Sequence, residues 1–215
     1  MRGLAAELPT GVWDEFCRLG IAQNADPGRI LLRQGETADH VVVLLSGRVK
    51  ITLVDRDGRA IVLAVRGPGE VLGEIAVLDG ATRSASVTAI DPCRVRVVPV
   101  PVFLQKLRLL NVEDVLVRHT LRRLRESEQL RLELATLPAR QRVHRALVRL
   151  AVPAVAGAGP VDIGLTQAEF GEAVGLKRSS VASMLAEFRD AGLISTRRGR
   201  IVVVDMPRLC ALPVE

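Results

Sequence analysis

The sequence predicts an α+β protein with an N-terminal β jelly roll, a long helix and a C-terminal winged helix-turn-helix. Three observations predict it. Between residues 29 and 100, short β-rich runs alternate with glycine-bearing turns. After Pro101 the apolar period changes from about two to about 3.6 residues. Beyond Pro138, two short helical patterns flank Val174-Gly175-Leu176 and precede a hairpin pattern with a basic tip.

In chain order, residues 29–33, 41–45, 49–54, 60–65, 84–90 and 93–98 are strand candidates, β-rich and bounded by turn formers. Gly35, Gly47, Gly67-Pro68-Gly69 and Asp91-Pro92 mark turns, and Asp57-Gly58 marks a hairpin. Strands so regularly spaced suggest a sandwich or jelly roll. A short helix is expected over 101–107 and a long one over 112–137. Within the long helix Val117, Leu121 and Leu124 recur at spacings of four and three, a coiled-coil-like seam continuing through Glu128 and Arg131 to Ala135. One apolar seam on a long helix needs a partner, so a homodimer is expected; the bland alternative is a helix lying on its own sheet.

Pro138 ends that helix and opens the next, over 139–151. The stretch 152–164 carries Pro153, Gly157, Gly159 and Pro160 and reads as a loop. Thr166 and Glu169 form a capping-box pattern ahead of a helix over 167–173, and 177–188 is a second helix. Residues 193–196 and 201–204 read as a hairpin around Arg197, Arg198 and Arg200, the wing of a winged helix. The expected domains are 1–110, 111–137 and 138–215.

Composition excludes several classes. With 215 residues, 48% hydrophobic and 25% charged, the chain is neither disordered nor a disulfide-stapled miniprotein. Cys17, Cys93 and Cys210 are scattered and form no CxxC pair, which argues against a zinc ribbon or a cysteine-held cluster and for a reducing cytoplasm. His40, His119 and His144 stand one per region, too few for a jelly-roll metalloenzyme, so no metal and no catalytic residue is expected. Residues 1–13 lack the continuous apolar core of a signal peptide, and no stretch reaches the roughly 20 apolar residues that span a bilayer. Neither export nor a membrane partner is expected. The net charge of +6 favours a polyanionic partner. From Pro138 onward 11 basic residues face 7 acidic ones, against 19 and 17 before it, so the excess sits in the C-terminal part.

The stretch 73–87, GEIAVLDGATRSASV, carries the most chemistry. Gly73, Glu74, Ile75 and Ala76, followed by Arg83 and Ser84, resemble the phosphate-binding cassette of cyclic-nucleotide-binding domains. A helical turn after Gly73 would point free N–H groups at an anion. Arg83 can grip a cyclic phosphate through two charge-assisted bonds, and the Ser84 hydroxyl can donate another. Glu74 stands where a ribose 2'-OH would need an acceptor. For Glu74 or Arg83 alone a surface ion pair is the better reading; their joint occurrence with Gly73 and Ser84 after a β domain reverses that.

The stretch LTQAEFGEAVGLKRSSVASMLAEFRDAGLIS, 165–195, independently resembles the helix-turn-helix of bacterial regulators of the cyclic AMP receptor protein family, and RRGRIVVVD resembles its wing. That family also includes the fumarate and nitrate reduction regulator. The resemblance implies a homodimeric DNA-binding protein that reads an inverted repeat in double-stranded DNA. Arg178 lies at the family's guanine-reading position, a bidentate contact to O6 and N7. Ser179 and Ser183 depart from the residues many relatives carry, so the operator differs. Lys177, Ser180 and the wing arginines Arg197, Arg198 and Arg200 suit phosphate contacts, and Thr166 is counted with them among the DNA-binding residues. Ser127 and Glu128 match the two positions that meet the base, one from each chain. A hydroxyl is expected at 128, so the carboxylate of Glu128 leaves cyclic GMP open beside cyclic AMP, as is a protein that acts without ligand. RNA polymerase is a further conceivable partner, but 152–164, where relatives meet it, differs in length and residues and carries nothing over.

Overall fold

The computed structural model describes residues 3–152, 159–197 and 199–212, with Arg197 described by its backbone alone. After a 3-10 turn over Leu4–Ala6 come α1 (Val12–Arg18), β1 (Ile21–Ala25), β2 (Ile30–Leu32), β3 (His40–Ser46), β4 (Val49–Val54), β5 (Ala60–Arg66) and β6 (Glu70–Leu72). Next are α2 (Glu74–Asp79), β7 (Ser86–Ala89), β8 (Cys93–Pro99), α3 (Val100–Leu110) and the long α4 (Glu113–Thr136). The C-terminal part holds α5 (Ala139–Leu150), β9 (Val161–Thr166), α6 (Gln167–Val174), α7 (Arg178–Asp190), β10 (Ile194–Arg197), β11 (Arg200–Val203) and α8 (Met206–Cys210).

Eight strands form two four-stranded antiparallel sheets, in the orders β1-β8-β3-β6 and β2-β7-β4-β5. Strand β3 shows why its sequence is a continuous apolar run instead of an alternating one. Val42 and Leu44 point between the sheets to meet Leu32, Val49 and Val87, while Val41 and Val43 point outward beneath Phe16, Phe103 and Leu116. Both faces of the strand are covered, so both sets are apolar. The outward set anchors α1, α3 and the start of α4 on the sandwich.

Helix α4 leaves the sandwich after its first turns. Val115, Leu116 and His119 are buried against the sheet, whereas Leu121 and Leu124 are 51% and 52% exposed and Val117 and Leu132 are also exposed. The seam residues therefore do not lie on the chain's own sheet. Leu137 is extended and Pro138 caps α5, so the chain turns where proline removes a helical N–H.

The C-terminal part is a helix-turn-helix backed by a three-stranded sheet in the order β10-β11-β9. Its core joins Val143 and Leu147 of α5 to Phe170, Val181, Leu185 and Phe188. One expectation is corrected here. The supposed loop 152–164 ends in a strand, because Val161 and Asp162 pair with Val203 and Val202. Ile163 and Leu165 are buried in the same core, so an apolar alternation interrupted by Gly164 is a strand and not a loop. Strand β7 also starts later than 84–90 suggested, leaving Ser84 in the loop before it. No helix among the described residues is long and apolar enough to cross a membrane.

Candidate functional site

The stretch 73–87 folds as a loop, a short helix and a second loop. Gly73 caps α2 at φ 86°, a left-handed conformation that a side chain would strain. A Cβ there would also stand 2.5 Å from Arg83 Nη1. That close approach lets Arg83 Nη1 donate to the Gly73 carbonyl at 2.9 Å, while Nη2 donates to the His40 carbonyl. The backbone of Arg83 is held by Gly35 and Glu36, at 2.9 Å each. Burial lowers the pKa of Arg83, opposed by Asp39, Glu36 and Glu74, and the side chain is only 4% exposed. Within this set its nearest carboxylate is the exposed Asp39, a long ion pair at 3.9 Å. A buried cation so placed invites an anion.

Glu74 is 1% exposed and paired with Arg123 of α4. Arg123 Nη2 also holds Glu70 at 2.6 Å and the Val71 carbonyl at 3.3 Å. Burial would raise the pKa of Glu70, but the hydrogen bond from His119 and the charge of Arg123 outweigh it and hold the carboxyl at about 2.

Glu74, Arg83 and Arg123 border one cavity of about 580 Å³ between the sandwich, α2 and α4. Gly73, Glu74, Ile75, Ala76, Arg83 and Ser84 line one side, and Arg123, Leu124 and Ser127 line the side formed by α4. Glu128 is exposed and does not line it. Sequence reasoning missed Arg123. The signal was its spacing, four residues before Ser127 and so on the same helix face.

The second candidate surface lies in the helix-turn-helix. Thr166 accepts from the Glu169 amide at 3.2 Å and Glu169 reaches back to the Thr166 amide at 2.8 Å, the predicted capping box. The Thr166 hydroxyl also donates to Glu169 at 2.9 Å, so its proton is already in use. Gly175 turns the chain at φ 64°, and Arg142 caps the end of α6 by donating to the Val174 carbonyl at 2.9 Å. Helix α7 buries Val181, Leu185 and Phe188, which puts Lys177, Arg178, Ser179, Ser180 and Ser183 on the exposed side. Lys177 occupies the N-cap without a side-chain cap bond. Arg200 pairs with Asp162 at 3.0 Å on the surface, an interaction worth about 0 to 1 kcal/mol. The side chain of Arg197 and the whole of Arg198 lie outside the described residues.

A cyclic nucleotide-binding domain profile matches residues 22–109, and a Crp-like helix-turn-helix domain profile matches 141–212. The CRP-like cAMP-activated global transcriptional regulator of Mycobacterium tuberculosis is 30% identical over 190 residues, covering 85% of this chain and 83% of its own. The chain belongs to the Crp/Fnr family of transcriptional regulators. Among solved structures, FixK2 from Bradyrhizobium japonicum superposes with a TM-score of 0.76 at 23% identity, covering 92% of this chain and 98% of that one. The c-di-GMP responsive global regulator CLP of Xanthomonas campestris gives 0.73 at 20% identity, covering 92% and 100%. At such identities these two likenesses show the fold alone. As a Crp-like regulator, the chain combines a cyclic nucleotide-binding domain with a DNA-binding helix-turn-helix.

Proposed function

We propose that this regulator is a homodimer whose DNA affinity is controlled by a cyclic mononucleotide, cyclic AMP in the first place. Residues 1–110 bind the ligand, 111–137 dimerise and 138–215 bind DNA. The observation that carries this reading is the convergence of Glu74, Arg83, Ser84 and Ser127 on one cavity between the sandwich and α4. Arg83 takes the phosphate with Ser84, Glu74 accepts from the ribose 2'-OH, and Ser127 meets the base. Glu128 points away from its own chain's cavity and meets the base of the partner's ligand. The exposed Val117, Leu121 and Leu124 supply the dimer seam.

A symmetric dimer presents two α7 helices, so its site is an inverted repeat with half-sites about 34 to 36 Å apart. Arg178, Ser179 and Ser183 meet the major groove, Lys177, Ser180, Arg197, Arg198 and Arg200 take phosphates, and Thr166 completes the DNA-binding set. The test is calorimetric titration of the protein and of Arg83→Ala with cyclic AMP and cyclic GMP. Removing Arg83 leaves a phosphate charge without its main partner, so affinity should fall by about 2 to 4 kcal/mol. Unchanged affinity in the variant would reject the phosphate assignment, and tighter binding of cyclic GMP would replace cyclic AMP as the ligand.

A further inference from the structure

A chain of charges runs from the exposed Arg122 and the half-buried Glu7 of the N-terminal segment through buried His119 and Glu70 to the cavity. Arg122 holds Glu7 at 2.7 Å, and His119 Nδ1 stands 2.7 Å from the other Glu7 oxygen. On its far side His119 Nε2 stands 3.2 Å from Glu70, which Arg123 ties to Glu74. Glu7 follows the 3-10 turn, Glu70 lies on β6 and Glu74 opens α2, so three elements meet the same two turns of α4. Arg66 of β5 also acts on Glu70, but its own hydrogen bond goes to Glu126 at 2.7 Å.

A neutral imidazole has one donor and one lone pair, so it satisfies only one of two flanking carboxylates; an imidazolium satisfies both. We propose that His119 is a positioning residue for the ligand: its imidazolium bridges Glu7 and Glu70, so that Glu70 shares Arg123 with Glu74 and Glu74 stays in place at the cavity. This inference rests on the cyclic-nucleotide reading of that cavity.

Charge balance gives the direction. With His119 protonated, the carboxylates of Glu7, Glu70 and Glu74 face three cations, His119, Arg122 and Arg123. Loss of the proton removes one positive charge from this network beside a site that must take an anionic phosphate. It also leaves Arg123 as the main partner of Glu70, drawing it from Glu74. Burial lowers the pKa of His119, but the hydrogen bonds to Glu70 and Glu7 outweigh it and the net direction is upward. Affinity for the ligand therefore falls as the pH rises through the folded value, and by reciprocity binding above that value takes up a proton.

The experiment titrates the full chain with cyclic AMP between about pH 6 and pH 9 by calorimetry, in two buffers of different ionisation enthalpy. The expected result is an affinity at least about fivefold weaker at the alkaline end, the low side of typical coupling between two sites. Proton uptake should accompany it. His119→Gln, which cannot titrate, should lose both the pH dependence and the uptake. Should that variant fail to fold, Glu7→Gln serves instead. It removes one stabilising charge, so the affinity profile should move to lower pH while keeping its acid plateau. Cyclic AMP binding with one pH profile shared by the wild type and both variants would overturn the role of His119 alone. If neither cyclic AMP nor cyclic GMP bound the wild type at any pH, the cavity reading itself would fall, and this inference with it.

Discussion

Replacing Glu70 by glutamine tests how much of the fold rests on the buried charges under the cavity. Glu70 is buried, with Arg123 at 2.6 Å and His119 at 3.2 Å, and its carboxyl is held at about 2 against an ordinary 4.5. A depressed carboxylate pKa stabilises the folded state above the unfolded value and loses that contribution as the pH falls toward the folded one. The whole gap is worth about 3 kcal/mol, and by about pH 3.5 a good third of it, about 1 kcal/mol, has gone. Glutamine keeps the shape and one acceptor but does not titrate. Arg123 retains Glu74 in the variant and so stays paired. Urea unfolding followed by circular dichroism at about pH 7 and about pH 3.5, at one protein concentration, gives the stability loss of each protein. Carboxylates that share neither Arg123 nor His119 with Glu70 cancel in the difference. The wild type should lose about 1 kcal/mol more than Glu70→Gln over that interval. Equal losses would refute the argument, because Glu70 would then titrate alike in the folded and unfolded chain.

The seam on α4 predicts a dimer at micromolar concentration by sedimentation, and Leu121→Glu should shift it toward monomer by placing a charge at an apolar contact. Arg178→Ala should cost about 1 to 3 kcal/mol per half-site and relax the preference at one guanine, measured by titration against operator variants. Lys50→Ala should change the ratio of operator affinities with and without saturating cyclic AMP while leaving cyclic AMP affinity within about twofold, since Lys50 touches the DNA-binding domain and does not line the cavity. A ratio identical to that of the wild type would remove Lys50 from the coupling.

What was legible in the sequence was what depends on near neighbours along the chain. The capping box at Thr166 and Glu169, the turn at Gly175 and the stop at Pro138 are set within four residues, and the structure has them as expected. Strand β1 escaped because Ile21, Ala22, Gln23 and Asn24 are all exposed, so no alternation marks it. Strand β6 is three residues between Gly69 and Gly73, too short for a period to show. The cassette residues could be named from their pattern, whereas for Arg123 only its spacing from Ser127 pointed to the cavity face, and its partner Glu74 is met only when α4 packs beside α2. His119 looked like an isolated histidine for the same reason. Its two carboxylates arrive from opposite ends of the domain, and only the fold makes them neighbours.

The cavity and the DNA-binding domain share a strand. Register along β4 and β5 jumps between Ile51, opposite Ala64, and Thr52, opposite Val62, leaving Leu63 as a bulge. The extra residue shifts the alternation. Val62 and Val65, which a regular strand would send to opposite faces, both join the core of the C-terminal domain. Leu63 and Ala64 of the same strand line the cavity. Beside them Lys50 pairs with Glu169 at the start of α6, and Arg48, held bidentately by Asp91, donates to the Val152 and Asp162 carbonyls. Two buried valines contribute about 3 to 6 kcal/mol at most, and the partly exposed Lys50–Glu169 pair about 1 kcal/mol. A ligand that differs in affinity between two arrangements by a typical 1 to 3 kcal/mol, roughly, is therefore a sizeable fraction of what docks the domain. The ligand can shift the docking only through that difference, and β5 is where a change in the cavity wall and a change in the docking surface are the same displacement.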